Sequence, residues 1–377
     1  MSDDTRPEPD RVDNAPHPRE TPVIHGQDAA QAEFLDAFAS GRLHHGWMLT
    51  GPRGTGKATL AWAIARFLLS TPDPDQDGGL FGDAPPPAPD SLHIPADHPV
   101  ARRMTAGAEP GLFVLRRGWN DQTKRLRAEI TVEEARKLKS FLSLSAADGG
   151  RRVVIVDAAD ELNTSAANAL LKLLEEPPAR TTLLLVAHNP SGLLPTIRSR
   201  CRVLRLSPLT PADMAAALDQ AGIAAQDTTP ALSALAAGSV GEAVRLANLD
   251  GLKIYAEVMA LLGSLPRLDR ARALALAEAS AQRGAEDRRA MLHVLIERAL
   301  SRLARSGAAG DPGGGAEAAP GEAEIFARLA PTPRHARDWA LAAQEVSARL
   351  RHGQAVNLDP AALILDTVFR LQKTAQG

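Results

Sequence analysis

A short glycine-rich stretch has the residue types and spacing of a phosphate-binding loop. Gly51, Gly56 and Lys57 complete a Gly-x-x-x-x-Gly-Lys frame, in which backbone N–H groups and one ammonium group surround the phosphates of a nucleotide. The position after the lysine normally supplies a Ser or Thr hydroxyl to Mg²⁺, and here it is Ala58. The stretch therefore predicts phosphate binding with an impaired magnesium site.

A second stretch ends in a carboxylate that could hold Mg²⁺ through water. Residues 151–157 contain an apolar run, Val-Val-Ile-Val, that ends at Asp157, the pattern of a strand buried inside a parallel sheet. Hydrolysing enzymes of this class carry a glutamate next, which polarises the attacking water, but Ala158 follows here. This combination favours nucleotide binding without hydrolysis. The predicted nucleotide-binding residues are Gly51, Gly54, Gly56, Lys57, Thr59 and Asp157.

The elements that must position these residues alternate along the chain. Apolar runs predict strands, with helical patterns between them, and this order favours a parallel sheet with helices on both faces. Later segments are alanine-rich and read as helices only. We therefore predict an α/β P-loop domain over 21–207, a helical lid over 208–250 and an all-α domain over 251–377. Residues 1–20 are expected to be a disordered tail and residues 73–108 a flexible insertion, because both are rich in proline and polar residues.

Composition excludes several other classes of protein. The net charge of -2 and the 3% aromatic content disfavour a DNA-binding module that acts alone. The single cysteine, Cys201, excludes a multi-thiolate zinc site, so we expect no zinc, and His93 and His98 are expected in a solvated loop. Without an apolar run of membrane-spanning length or a signal peptide, a cytoplasmic protein with no membrane partner is expected.

Two further motifs carry a family resemblance. Asn-Ala-Leu-Leu-Lys-Leu-Leu-Glu-Glu-Pro-Pro at 168–178 and Thr-Ile-Arg-Ser-Arg-Cys at 196–201 resemble the AAA+ clamp-loader family, whose Ser-Arg-Cys motif carries an arginine finger. With the phosphate-binding loop, the motifs follow in family order over roughly residues 24–207. Within that family the chain is most similar to the delta prime group of bacterial DNA polymerase III, on residues 41–45, 157–163 and 357–361.

The resemblance implies a fold, a role and partners. It implies a RecA-like AAA+ domain with a helical lid and a C-terminal helical collar, and it assigns Arg200 as a finger acting in trans on a neighbouring ATPase subunit. The implied role is a stator that helps load the sliding clamp onto primed DNA as a subunit of the DNA polymerase III holoenzyme. It implies gamma/tau motor and delta subunits as partners in a hetero-pentamer, and contact with clamp and primer-template DNA through that complex. ATP binding is expected to be weak or vestigial, with no ATPase or polymerase activity of its own.

The alternatives are a gamma/tau-type motor or another AAA+ ATPase. Ala58 and Ala158 count against both, as does Gly-Ser-Val-Gly-Glu at 238–242, where a motor carries a sensor arginine. His188 and Asn189 occupy the region of the first sensor residue, and the sequence does not choose between them. The four-cysteine zinc module that many of these proteins carry is absent from the sequence.

Overall fold

The structure, a computed structural model, describes residues 7–72, 89–143, 150–223, 228–309 and 316–377. The predictions made for residues 1–6 and 73–88 lie outside the described residues. The chain divides into two compact units. The first comprises Met1–Gly222 with Gly238–Gly241, and the second Ile223–Ala237 with Glu242–Gly377.

A parallel sheet is the centre of the first unit. Its strands are β1 Gly46–Thr50, β2 Leu112–Arg116, β5 Arg152–Asp157, β6 Thr181–Val186 and β7 Arg202–Arg205, while β3 Trp119–Asn120 and β4 Arg125–Leu126 form a separate antiparallel pair. The strand order is β2-β5-β6-β1-β7, and each neighbouring pair is parallel. Because parallel strands end at the same edge, the residues that follow β1, β5 and β6 lie close together.

Helices cover both faces of this sheet, as predicted. The helices of the first unit are α1 Asp28–Ala39, α2 Lys57–Ser70, α3 Pro99–Thr105, α4 Val132–Ser143, α5 Thr164–Glu175, α6 Pro195–Arg198 and α7 Pro211–Gln220, and α1 to α6 contribute residues to the two cores beside the sheet. Alternate residues of β5 join different cores: Val153 and Ile155 pack with α1 and α2, whereas Val154 and Val156 pack with α4 and α5. A strand buried on both sides must be apolar throughout, which explains the continuous run before Asp157.

The second unit is helical, which confirms the predicted change of fold class. Its helices are α8 Thr229–Ala236, α9 Val240–Asn248, α10 Gly251–Gly263, α11 Arg270–Ala281, α12 Glu286–Ala309, α13 Glu322–Leu329, α14 Pro333–Ala355 and α15 Pro360–Gln376, the first two residues of α9 belonging to the first unit. A buried polar network lies among them. The Tyr255 hydroxyl and Arg302 Nε both donate to Glu322 Oε1 at 2.6 Å, and Ala318 N donates to Glu322 Oε2 at 2.7 Å.

The structure differs from the sequence expectations in three segments. Residues 7–20, expected to be disordered, are packed, and the His17 ring among them is fully buried. Residues 89–108, expected to be flexible, include α3 and bury Leu92, Val100 and Met104 against the α1/α2 core. The predicted lid is divided, because α7 belongs to the first unit and α8 to the second. Among the described residues, no helix is both long and apolar enough to cross a membrane.

Candidate nucleotide site and arginine finger

The loop between β1 and α2 has the backbone shape of a phosphate cradle. Gly51, Gly54 and Gly56 have φ values of 138°, 76° and 94°, which side-chain-bearing residues rarely adopt. At Gly54 close packing adds a second restriction, since a Cβ there would lie 2.2 Å from Ser239 Oγ. The glycines of the predicted motif are therefore needed for the conformation of the loop.

Lys57 is the first residue of α2, and its ammonium group turns back into the loop. The residue is 3% exposed, and Nζ donates to Gly51 O at 2.8 Å and to Pro52 O at 2.6 Å. Burial lowers the pKa of Lys57 to about 8, against the opposing charges of Asp160 and Asp157. A buried cation held by two carbonyl oxygens would gain much of its missing stabilisation from an anion, which fits a phosphate.

Asp157 ends β5 at the same edge of the sheet, and its charge is disfavoured there. Burial, followed by the charges of Asp10 and Glu161, raises the pKa of Asp157 to about 7. Around neutral pH a large fraction of this carboxyl is therefore protonated, and a protonated carboxyl is a poor Mg²⁺ ligand. With Ala58 in place of the hydroxyl ligand, both protein contributions to the metal site are weakened.

The described residues after Asp157 and β6 are poorly suited to activating water. Ala158 is 3% exposed and carries no polar group. The next acid, Asp160, uses both carboxylate oxygens to accept backbone N–H groups, from His188 at 2.8 Å and from Asn189 at 3.2 Å. Burial and the charge of Lys57 lower the pKa of His188 to about 4, so its ring is neutral. Asp160 thus acts as a structural cap for the loop that follows β6.

Gln27 positions the phosphate loop, although no sequence motif predicts this role. The residue is 3% exposed. Its Nε2 donates to Thr55 O at 3.1 Å and to Ser207 O at 2.8 Å, and its Oε1 accepts from Ser207 N at 3.2 Å. One amide therefore ties the loop to the segment after β7. A single glutamine before α1 belongs to no motif, and only the folded structure reveals its partners.

Arg200 lies away from the phosphate loop of its own chain. It precedes β7, and a Cβ on Gly46, the first residue of β1, would lie 3.1 Å from Arg200 O. The phosphate loop follows the other end of β1, a five-residue strand that spans roughly 15 Å. The guanidinium pairs with Glu175 Oε1 at 3.1 Å and donates to Thr196 O at 3.0 Å, with 38% of the side chain exposed. This placement suits action on another molecule.

The structure thus brings the predicted nucleotide-binding residues to one edge of the sheet and leaves Arg200 at the opposite edge. Thr59 lies in the first turn of α2, beside the loop that carries the glycines and Lys57. No group of His, Cys, Asp and Glu side chains able to hold a metal ion occurs among the described residues. His98, expected in a solvated loop, instead caps α3 by accepting from Val100 N at 3.2 Å.

Asp157→Asn should raise the free energy of unfolding at about pH 8 by up to about 4 kcal/mol. The pKa of Asp157 is about 7 in the folded chain against the ordinary value of 3.8. The folded state therefore holds the proton where the unfolded state has released it, and this contribution to stability falls as the pH rises from about 4 to about 7. Urea unfolding of both proteins across this range measures the difference. Parallel pH profiles for parent and variant would contradict the assignment.

Comparisons with known proteins agree with these motifs. The family model described as DNA polymerase III, delta subunit, matches residues 26–210. The delta prime subunit of DNA polymerase III from Pseudomonas aeruginosa is 37% identical over 210 residues, 55% of this chain and 56% of that protein. Its counterpart from Escherichia coli is 32% identical over 219 residues, 58% of this chain and 59% of that protein.

A gamma/tau subunit of DNA polymerase III from Mycobacterium tuberculosis is also similar, at 28% identity over 253 residues, 63% of this chain and 39% of that protein. The chain spans just over half the length of the delta prime relatives that it matches. The match includes the phosphate loop, Asp157 and the Ser-Arg-Cys motif. Through residues 26–210, the chain belongs to the DNA polymerase III delta prime family of AAA+ clamp-loader proteins.

Proposed function

We propose that the chain is the stator of a DNA polymerase III clamp loader and donates Arg200 to the nucleotide site of a neighbouring ATPase subunit. The observation that carries this proposal is the separation of the two sites. Arg200 lies at the edge of the sheet opposite to its own phosphate loop, so it cannot serve that loop. Its planar guanidinium suits charge stabilisation on a γ-phosphate.

The residues retained and lost at the chain's own nucleotide site support the same role. The loop glycines and Lys57 would hold the phosphates of ATP, whereas Ala58 and Ala158 cannot ligate Mg²⁺ or activate water. ATP binding is therefore weak, and bound ATP would support the conformation of the site without being hydrolysed. The proposed partners are gamma/tau-type motor and delta subunits in a hetero-pentamer, with clamp and primer-template DNA contacted through the complex in the cytoplasm. The chain would have no polymerase site of its own.

A gamma/tau-type motor is the second candidate, favoured by the similarity to gamma/tau relatives over 63% of this chain. A motor needs a competent metal ligand and a base for water. The described site supplies both poorly, because Ala58 has no hydroxyl and both oxygens of Asp160 already accept backbone hydrogen bonds. A stator role therefore explains the residues at this nucleotide site better than a motor role does.

The purified chain should show no ATP hydrolysis above background in the presence of Mg²⁺. The reason is the loss of both the hydroxyl ligand and the catalytic acid, two roles that the glycine loop cannot replace. A phosphate-release assay measures the rate, with Lys57→Ala as the control for contaminating ATPases. Turnover in the parent that disappears in Lys57→Ala would establish the motor function and overturn the stator.

A further inference from the structure

The N-terminal segment, residues 7–20, is fixed to β2 by charged side chains. Arg116, the last residue of β2, pairs with Asp10 through Nη1 and donates to Glu8 Oε1 at 3.1 Å through Nη2. The Asp10 side chain is fully buried. Burial alone would raise the pKa of Asp10, but the hydrogen bond from His17 and the favourable charge of Arg116 together lower it. A buried carboxylate that stays ionised marks a firm attachment.

The other end of the segment is fixed to α2. His17 Nε2 lies 3.1 Å from Asp10 Oδ2, and the His17 ring meets Trp62 edge-on with 5.5 Å between centroids. Arg66 Nη2 donates to the backbone oxygen of Arg19 at 2.7 Å. These contacts hold residues 10–19 across α2, the helix that begins at Lys57. The segment therefore packs against the two elements that border the nucleotide site on this side.

Between its two attachments the segment contacts residues that border the nucleotide site. Arg116 is the direct neighbour of Asp157 in the sheet, so the ion pair of Arg116 and Asp10 lies next to Asp157. Val12 Cγ2 would be 3.9 Å from a Cβ on Gly241. The N–H of Gly241 in turn donates to Gly54 O, in the phosphate loop, at 3.2 Å. The segment thus extends from the carboxylate side of the site to the outside of the glycine loop.

We propose that residues 8–17, held by Glu8 and Asp10 on Arg116, close the phosphate groove of this chain and set its affinity for a nucleoside triphosphate. Two effects act together. The backbone obstructs the approach to the loop, and the Asp10 carboxylate places negative charge beside Asp157, where a γ-phosphate would add more. The inference rests on the loop being the phosphate site and is independent of the role of Arg200.

The test uses the full chain and breaks the contacts between the segment and Arg116 by changing one partner or the other. Glu8→Ala/Asp10→Ala removes the acids of the segment, whereas Arg116→Met removes their partner on β2 and leaves the segment unchanged. Titration with a fluorescent ATP analogue, with and without Mg²⁺, should show at least about tenfold tighter binding than the parent for both variants. That gain should disappear when Lys57→Ala is added. Arg103→Ala, which breaks the 2.8 Å ion pair with Glu109 in the same unit, is the matched control and should bind like the parent.

A second readout keeps the two variants interpretable. Trypsin cleavage after Arg11 should accelerate in both, which reports release of the segment without any nucleotide, and circular dichroism verifies that the sheet is intact. Affinity equal to the parent in both variants overturns the proposal, whether or not cleavage accelerates. A gain in affinity that survives Lys57→Ala also overturns it, because the analogue would then bind elsewhere.

Discussion

Arg200→Ala should leave the chain folded and able to join the loader while it reduces ATP hydrolysis at the site that Arg200 serves. Fingers of this kind contribute on the order of a thousandfold to turnover at one site. The fall for the whole assembly would be smaller, because the other sites still work. The fold should persist, since the exposed pair with Glu175 contributes at most about 1 kcal/mol. Steady-state hydrolysis stimulated by clamp and DNA in a reconstituted loader measures the effect.

Two further substitutions at this segment separate a finger from a general positive charge. Arg200→Lys should fail to restore full activity, because an ammonium lacks the planar fork of the guanidinium. Arg198→Ala removes an exposed arginine two residues away and should matter less. Hydrolysis and clamp loading at the parent rate with Arg200→Ala would show that the finger assignment is wrong. Failure of that variant to assemble would assign Arg200 a structural role instead.

Glu322→Ala should destabilise the helical unit by about 2–4 kcal/mol, because it removes the carboxylate partner of the largely buried Arg302 guanidinium and leaves the buried Tyr255 hydroxyl without its acceptor. Glu322 is 1% exposed, and its carboxylate receives Tyr255, Arg302 and the N–H of Ala318. Urea unfolding measures the loss, and hydrogen exchange in α10 and α12 assigns it to this unit.

The neighbouring acid on the same helix provides the control for this prediction. Glu324 is exposed on α13, so Glu324→Ala should change stability by no more than about 0.5 kcal/mol. Tyr255→Phe keeps the ion pair and removes one hydrogen bond, for an expected loss of about 1–2 kcal/mol. If Glu322→Ala were no more destabilising than Glu324→Ala, the network would not be a source of stability.

Local patterns predicted the elements of this fold because their causes are local. At the start of α4, for example, Thr131 N donates to Glu134 Oε2 at 3.1 Å, a bond between residues only three positions apart. The strand that ends at Asp157 was recognisable because burial on both faces requires an unbroken apolar run. The phosphate loop was likewise recognisable because its glycines and lysine are consecutive in the chain. In these cases a few neighbouring residues contain the whole signal.

Contacts between distant residues were not predictable in this way. Asp10 and Arg116 are separated by 106 positions, and Tyr255 and Glu322 by 67. Nothing in the residues around either partner indicates the other. The proline-containing, acidic composition of residues 1–20 therefore predicted disorder, whereas Glu8, Asp10 and His17 attach most of that segment to the sheet and to α2. Polar residues in such a segment can serve either as solvated groups or as buried partners, and composition does not separate the two.

This chain is proposed to work as a stator within a clamp loader, and co-assembly tests that role most directly. The chain should be mixed with the gamma/tau and delta subunits of its own organism and examined by size-exclusion chromatography with light scattering. We expect one complex that contains all three proteins, with ATP hydrolysis that requires the motor subunit and is stimulated by clamp and primed DNA. A chain that remains separate from both subunits under these conditions would contradict the stator role.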